Sequence, residues 1–239
     1  LLNFMTYPRE LEGQPAEGIR PGDVLFHLWE AIRKAIRERP LRRLMLESMG
    51  FEGMFKAASD YLQPVILGMA LAFPLLKGQA ETRRSAVIVG AVYLVLHLAS
   101  AYASRKSHRI TACCGGEEKG AYLLWKIVFV LYAAMVPLLF LESHALAVLG
   151  FLGLYLIQNF WRPILISRFD AFATETQGAT VLSIESQAKS VATMVVAPLL
   201  GMSVDFVRDD RLGGAFWPVG VAGAIVAGVV LVASRRRAE

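Results

Sequence analysis

The sequence predicts an all-α polytopic membrane protein with six transmembrane helices. Three observations predict it. First, 55% of the 239 residues are hydrophobic and only 19% are charged, whereas a soluble domain carries about 25% charged residues. Second, the apolar residues fall in runs near the roughly 20 residues that cross a bilayer core of about 30 Å. Third, the basic residues gather at the ends of those runs, the pattern of membrane topology rather than of nucleic-acid binding. The mean hydropathy is +0.47. These values exclude a disordered chain, a collagen-like chain and a disulfide scaffold. The two cysteines, Cys113 and Cys114, are adjacent and poorly placed to bridge each other.

Three spans are uncharged throughout: Ser85 to Ser104 (20 residues), Ser143 to Trp161 (19) and Leu212 to Ser234 (23). Gly120 to Leu141 carries a single charge, Lys126, which snorkels to the interface. Leu62 to Leu76 and Ser190 to Val204 are uncharged for 15 residues each. Each reaches span length if the charged turn before it enters the membrane. The expected helices are therefore 44–76, 85–104, 120–141, 145–167, 179–203 and 215–234.

An even number of spans puts both termini on one side. That side carries Arg9, Arg20, Arg33, Lys34, Arg37, Arg39, Arg42 and Arg43, then Arg105, Lys106, Arg109 and Lys119, then Arg168, then Arg235, Arg236 and Arg237. The other side carries Lys77, Arg83, Arg84, Arg208 and Arg211. The positive-inside rule makes the richer side cytoplasmic. The chain then divides into a cytoplasmic linker (1–43), a six-helix transmembrane domain (44–234) and a basic cytoplasmic tail (235–239). Within the linker, Asp23 is a natural N-cap. Val24, Leu25, Leu28, Ile32 and Ile36 follow at helical spacing, with Pro40 ending the pattern. This basic amphipathic helix either lies on the membrane surface or packs on the protein.

Local sequence sharpens the plan. Gly178-Ala-Thr-Val-Leu-Ser-Ile-Glu-Ser, continuing to Ala197-Pro-Leu-Leu-Gly201, resembles the eleventh helix of major facilitator superfamily transporters. Gly178 stands where many members have arginine. Ala103-Ser-Arg with His108-Arg109 is similar to the basic loop between the eighth and ninth helices, without its usual glycine and aspartate. Gly50-Phe-Glu-Gly, Phe55-Lys56 and Gln63-Pro64 resemble the seventh helix. The resemblance implies the C-terminal six-helix half of a twelve-helix bundle, built from inverted three-helix repeats, with solute bound near the midplane. It implies a secondary transporter working by alternating access, driven by an ion or solute gradient. It also implies that the first and fourth spans line the cavity and that the second and fifth face the other half. The expected location is the cell (inner) membrane. The chain starts at Leu1, which leads to the expectation that six more helices precede it; a second copy of the same chain is the alternative partner.

Each polar residue at membrane depth carries two readings, because a charge in hydrocarbon costs a few kcal/mol or more. Glu52, Lys56 and Asp60 are four apart and share a helical face: a gating or coupling network, or an ion ladder at the interface. Glu185 and Lys189 are also four apart. Helix counting at about 1.5 Å per residue puts Asp60, Glu185 and Lys189 at one depth, with Arg162 at the same end. The reading is an inner gate of ion pairs. His97 is a candidate proton site, or a histidine hydrogen-bonded inside the bundle. Tyr61, Gln63, Gln158 and Asn159 lie on the two spans that the resemblance assigns to the cavity, which makes them candidate substrate contacts. The plain alternative is interhelical hydrogen bonding, worth about 0.6 kcal/mol each. Ala188 and Ala192, and Gly220, Ala224 and Gly228, form small-residue rows suited to close helix approach.

No phosphate loop, nucleophile elbow or zinc motif is present, so the sequence predicts neither an enzyme nor a cofactor or metal. The expected partners are a small-molecule or ion substrate and the lipid bilayer, with no nucleic acid. The rival readings are a six-helix homodimeric carrier, a non-transporting membrane interaction module and a membrane enzyme.

Overall fold

The computed structural model describes residues 33, 37–72, 81–171, 178–210 and 213–235. Every element among them is a helix: α1 (Arg39–Ser59), α2 (Leu62–Ala72), α3 (Glu81–Cys114), α4 (Glu117–Phe140), α5 (His144–Asp170), α6 (Gly178–Asp210) and α7 (Trp217–Arg235). Five of them, α3 to α7, are long and apolar enough to cross a membrane. The expected amphipathic helix of the linker lies outside the described residues except at Arg33 and Arg37.

The expected helix 44–76 is two helices. Pro64 has no N–H to offer the carbonyl of Asp60, and its ring crowds that carbonyl. The chain turns at Asp60–Tyr61, where the Tyr61 N–H reverts to a tighter bond with the Ala58 carbonyl at 3.0 Å. Residues 73–76 lie outside the described residues.

Elsewhere the helices outrun the hydrophobic spans. α3 continues to Cys114 rather than stopping near Ser104, and along this extension the Ser107 and Thr111 hydroxyls bond back to the Ser104 and His108 carbonyls. Gly115 and Gly116 then supply the left-handed backbone (φ 73° and 135°) that ends α3 and starts α4. Glu117 and Glu118 open α4, where the helix dipole favours acids.

Cross-helix neighbours fix the direction of the helices. Gly120 at the start of α4 faces Ile110 and Thr111 near the end of α3, so α3 opposes α4. Along α1 and α2, Glu47, Phe51, Phe55 and Gly68 meet Arg168, Trp161, Tyr155 and His144 of α5, so the two columns are antiparallel. Ser48 and Gly53 meet Glu185 and Ala192, so α6 runs parallel to α1. Gly150 and Gly153 face Met135 and Leu131, so α4 opposes α5. Gly214, Gly223 and Gly228 face Leu139, Tyr132 and Phe129, so α7 opposes α4. The result is six columns of alternating direction, the first being α1 and α2 together. Arg43 at the start of α1 donates to the Ser234 hydroxyl at the end of α7 (3.3 Å), so the first and last columns finish at one end of the bundle.

The packing has an internal symmetry. Exchange the first column with α5, α3 with α6 and α4 with α7, and the helix contacts map onto one another. The α1–α6 pairing becomes α3–α5, α4–α5 becomes α1–α7, and α3–α4 becomes α6–α7. Because exchanged columns run oppositely, the two three-column units are inverted copies. At the centre, Phe51 stacks on Trp161 (centroids 5.0 Å apart) and meets Trp125 edge-on (5.5 Å).

Small residues set the closest approaches. A Cβ on Gly53 would fall 2.7 Å from that of Ala192, and one on Gly223 would overlap the buried Tyr132 ring. We expect Gly223→Ala to destabilise the protein by about 1–3 kcal/mol through overpacking. Gly120, where a Cβ would meet only ordinary contacts at 3.7 Å or more, is the control: Gly120→Ala should be neutral or stabilising by up to about 1 kcal/mol. Thermal unfolding in detergent separates the two outcomes.

Candidate functional site: a buried charge cluster at one end of the bundle

The charges expected along these helices do not disperse to solvent; they converge on two adjacent networks. In the first, Glu47 of α1 accepts from Arg43 Nε and from Arg168 Nη1, both at 2.7 Å. Arg168 also donates to Glu118 Oε1 through Nη2 (2.9 Å) and Nε (3.2 Å). The side chains of Glu47 and Arg168 are each only 4% exposed. With the Arg43–Ser234 bond, this network joins the ends of α1, α4, α5 and α7. The neighbouring Ser167 hydroxyl donates to Glu117.

The second network sits beside it, between α1, α5 and α6. Glu185 is fully buried (0% exposed). Its carboxylate accepts a bidentate pair from Arg162 (2.7 and 3.1 Å) and a bond from the Ser48 hydroxyl. Lys189, one turn on, approaches to 4.0 Å. Fork-on-fork pairing with arginine is a strong arrangement for a buried carboxylate, and Ser48 fills one further lone pair from a third helix. One turn above Ser48, Glu52 is buried as well; its Oε2 accepts a long contact from Gln158 Nε2 (3.5 Å).

The spacing of these residues is helical arithmetic. Ser48 and Glu52, Gln158 and Arg162, and Glu185 and Lys189 are each four apart. Each pair therefore presents two groups on one face of its helix. Three such faces meet. Outside them, Gln158, Asn159, Arg162 and Ser104 border an open groove of about 470 Å³ that continues to Asp170.

The structure thus brings together Glu52, Gln158, Arg162, Glu185 and Lys189, with Asn159 on the groove wall. It does not bring in the rest. Lys56 and Asp60 are exposed, and the ion pairs among the described residues do not include them. The expected ladder from Glu52 to Asp60 is corrected accordingly. The depth assigned to Asp60 is corrected too. Tyr61 packs on Phe216 (5.8 Å) and its hydroxyl lies beside Gly201, at the end of the bundle away from Ser234. Counting back from Leu76 along an unbroken helix misplaced Asp60, because the chain turns there. Gln63 is exposed. His97 is exposed, and among the described residues its ring meets that of Tyr93 (6.3 Å).

Sequence reasoning missed Glu47, Ser48, Glu118 and Arg168. Glu118 lies just outside an apolar run, Glu47 falls within the expected helix 44–76 but far from its uncharged stretch, and Arg168 entered only as a topological charge. One signal was present: Arg43 and Glu47 are four apart on a helix.

Among the described residues, no group of three His, Cys, Asp or Glu side chains is placed to hold a metal ion. No family model, curated protein or solved structure matches the chain. The architecture itself defines the class: an all-helical protein whose long apolar helices suit a membrane, with ion pairs buried between them.

Removing Arg168 leaves Glu47 buried with only the half-exposed Arg43 for a partner. Breaking a buried pair costs about 3–5 kcal/mol, whereas replacing both partners costs far less. Arg168→Gln should therefore lower stability by about 3 kcal/mol. Glu47→Gln with Arg168→Gln should recover part of the loss. A double-mutant cycle read by thermal unfolding measures that coupling.

Proposed function

We propose that this chain is the C-terminal half of a secondary active transporter. It moves a small solute across the cell membrane by alternating access, driven by an ion or solute gradient, with both termini cytoplasmic. The observation that carries the reading is the fully buried Glu185, held at once from α1, α5 and α6. Such a contact costs little while intact and is expensive to break unpaired, so it ties three columns into one discrete state. A closed gate at one end of the bundle needs that property. The inverted symmetry of the packing supports the reading, since inverted repeats place the solute site between the units and allow rocking about it. The first column, α1 with α2, is then the sixth span, jointed at Asp60–Tyr61.

A partner half also has a surface to cover. α3 and α6, which the internal exchange relates, are the two least buried of the five long helices, at 11% and 17%. Leu94, Leu98 and Tyr102 on α3, and Met194, Val195 and Met202 on α6, stand exposed. Six further helices of the same chain or a second copy would cover both. A native mass near twice 26.3 kDa, read by immunoblot against the Arg235–Glu239 tail, assigns them to the same chain, and that is the result we expect. A mass of 26.3 kDa assigns them to a second copy.

The gate is tested without knowing the solute. In a background of Cys113→Ser and Cys114→Ser, a cysteine at Asn159 is labelled with an impermeant maleimide from either side of the membrane. Glu185→Gln should raise labelling from the Arg43 end several-fold and lower it from the other. Equal labelling with and without Glu185→Gln, from both sides, defeats the reading.

A further inference from the structure

A groove of about 1000 Å³ opens on the surface of the bundle between α4 and α7. Small residues make its floor: Ala133 on α4, with Ala224 and Gly228 on α7, all half-buried. Larger ones make its rims: Phe129, Val229 and Val232, all exposed. Every lining side chain is apolar, so hydrocarbon gains from entering it and water does not. The groove is also short. Its lining runs from Val221 to Ala233 on α7, about 18 Å at the helical rise, against a bilayer core of about 30 Å. Ala233 lies in the last turn of α7, at the end where Arg43 meets Ser234. The groove therefore reaches across little more than one leaflet from that end. A helix docked from a second copy would run the full core, whereas one hydrocarbon chain entering from that side matches the length.

The mouth of the groove is basic. Lys119, Tyr122, Lys126, Phe129, Ala133 and Val136 recur every three or four residues, so one face of α4 carries both the lysines and the groove wall. Lys119 and Lys126 are exposed. The Lys126 ammonium lies over the Tyr122 ring at 4.6 Å, which draws it toward the start of α4 and away from the apolar floor. The two lysines are two turns apart, about 10.5 Å along the axis, and their flexible stems reach a group held between them. α7 runs the other way and ends in Arg235, and the sequence goes on with Arg236 and Arg237. An apolar slot one leaflet long that opens on clustered cations is complementary to a molecule with a hydrocarbon tail and an anionic head.

We propose that the α4–α7 groove binds an anionic phospholipid of the leaflet at the Arg43 end, with one acyl chain along Ala133, Ala224 and Gly228 and the phosphate between Lys119 and Lys126. The site rests on α4 and α7 crossing a membrane and not on solute transport. The proposed partner half covers α3 and α6, which leaves this groove to lipid. α4 belongs to one three-column unit and α7 to the other, so the bound lipid touches both inverted units and braces them against each other.

The test uses the full native chain, with Cys113→Ser and Cys114→Ser, in phosphatidylcholine liposomes. Val229→Cys carries a fluorophore on the rim. Val130→Cys, exposed on α4 outside the groove, carries it in a second sample. A minor share of phospholipid with a brominated acyl chain quenches the fluorophore, supplied either as phosphatidylglycerol or as phosphatidylcholine. We expect phosphatidylglycerol to quench several-fold more than phosphatidylcholine at position 229, and the two to quench alike at position 130. Lys119→Gln with Lys126→Gln should erase the preference; both side chains are exposed, so the packing is undisturbed. Ala224→Leu, which fills the floor, should erase it as well. Equal quenching by the two lipids at position 229 overturns the proposal. A preference that survives Ala224→Leu reflects charge at the membrane surface alone and overturns the groove as its seat. Quenching by neither lipid at position 229, with position 130 still quenched, shows that a second copy or another protein covers the groove and overturns the proposal too. None of these outcomes turns on Glu185, so the lipid site and the transporter reading stand or fall separately.

Discussion

A buried charge must find its partners inside the protein, and here one carboxylate decides where three helices sit. Glu185 lies on α6 at zero exposure. No single neighbouring helix offers enough donors to satisfy it. Arg162 fills two positions from α5, Ser48 a third from α1, and Lys189 stands nearby on its own helix. Shifting any of the three helices by a turn strands a charge in a medium that cannot solvate it. The apolar contacts around the cluster tolerate sliding far better, since one aliphatic residue replaces another at similar cost.

The same asymmetry explains how a cluster of this kind serves a moving protein. Ion pairs buried against good partners gain little over apolar packing, yet a broken pair is costly. A bundle held this way has discrete arrangements rather than a continuum, which a two-state gate requires. In the proposed carrier, the pair of Arg162 with Glu185 is the gating element. The neighbouring network of Arg43, Glu47, Glu118 and Arg168 ties four helix ends together and steadies the frame around it. The break at Asp60–Tyr61 lies well along the same column from the gate, so the first column is continuous where the charges bind and jointed where Pro64 loosens it.

How far the sequence reaches is clearest at individual residues. Glu185 and Lys189 were legible as a helical pair because spacing alone puts them on one face. That Arg162 meets Glu185 is a contact between separate helices, and only the packing of α5 on α6 makes it. Asp60 shares the four-residue spacing of Glu52 and Lys56, yet Pro64 turns the chain there. His97 reads as a buried histidine from its apolar surroundings, but it sits on the exposed face of α3. Hydropathy averages around a helix and says nothing about which face a neighbour covers.

By itself the sequence determined the helical class, five of the six long apolar helices it led to expect and some of the small residues where helices touch, Ala192 and Gly220 among them, because length, hydropathy and side-chain size are local properties. It also determined that charges would lie within the apolar region. Tertiary structure decided the alternating directions, the inverted symmetry of the packing and which charges become partners. It decided as well that Glu47, Ser48, Glu118 and Arg168 belong to the networks. The physical reason is that a buried charge is satisfied by whatever helix arrives beside it, and residues separated by 23, 121 or 137 positions along the chain become neighbours only when the bundle closes.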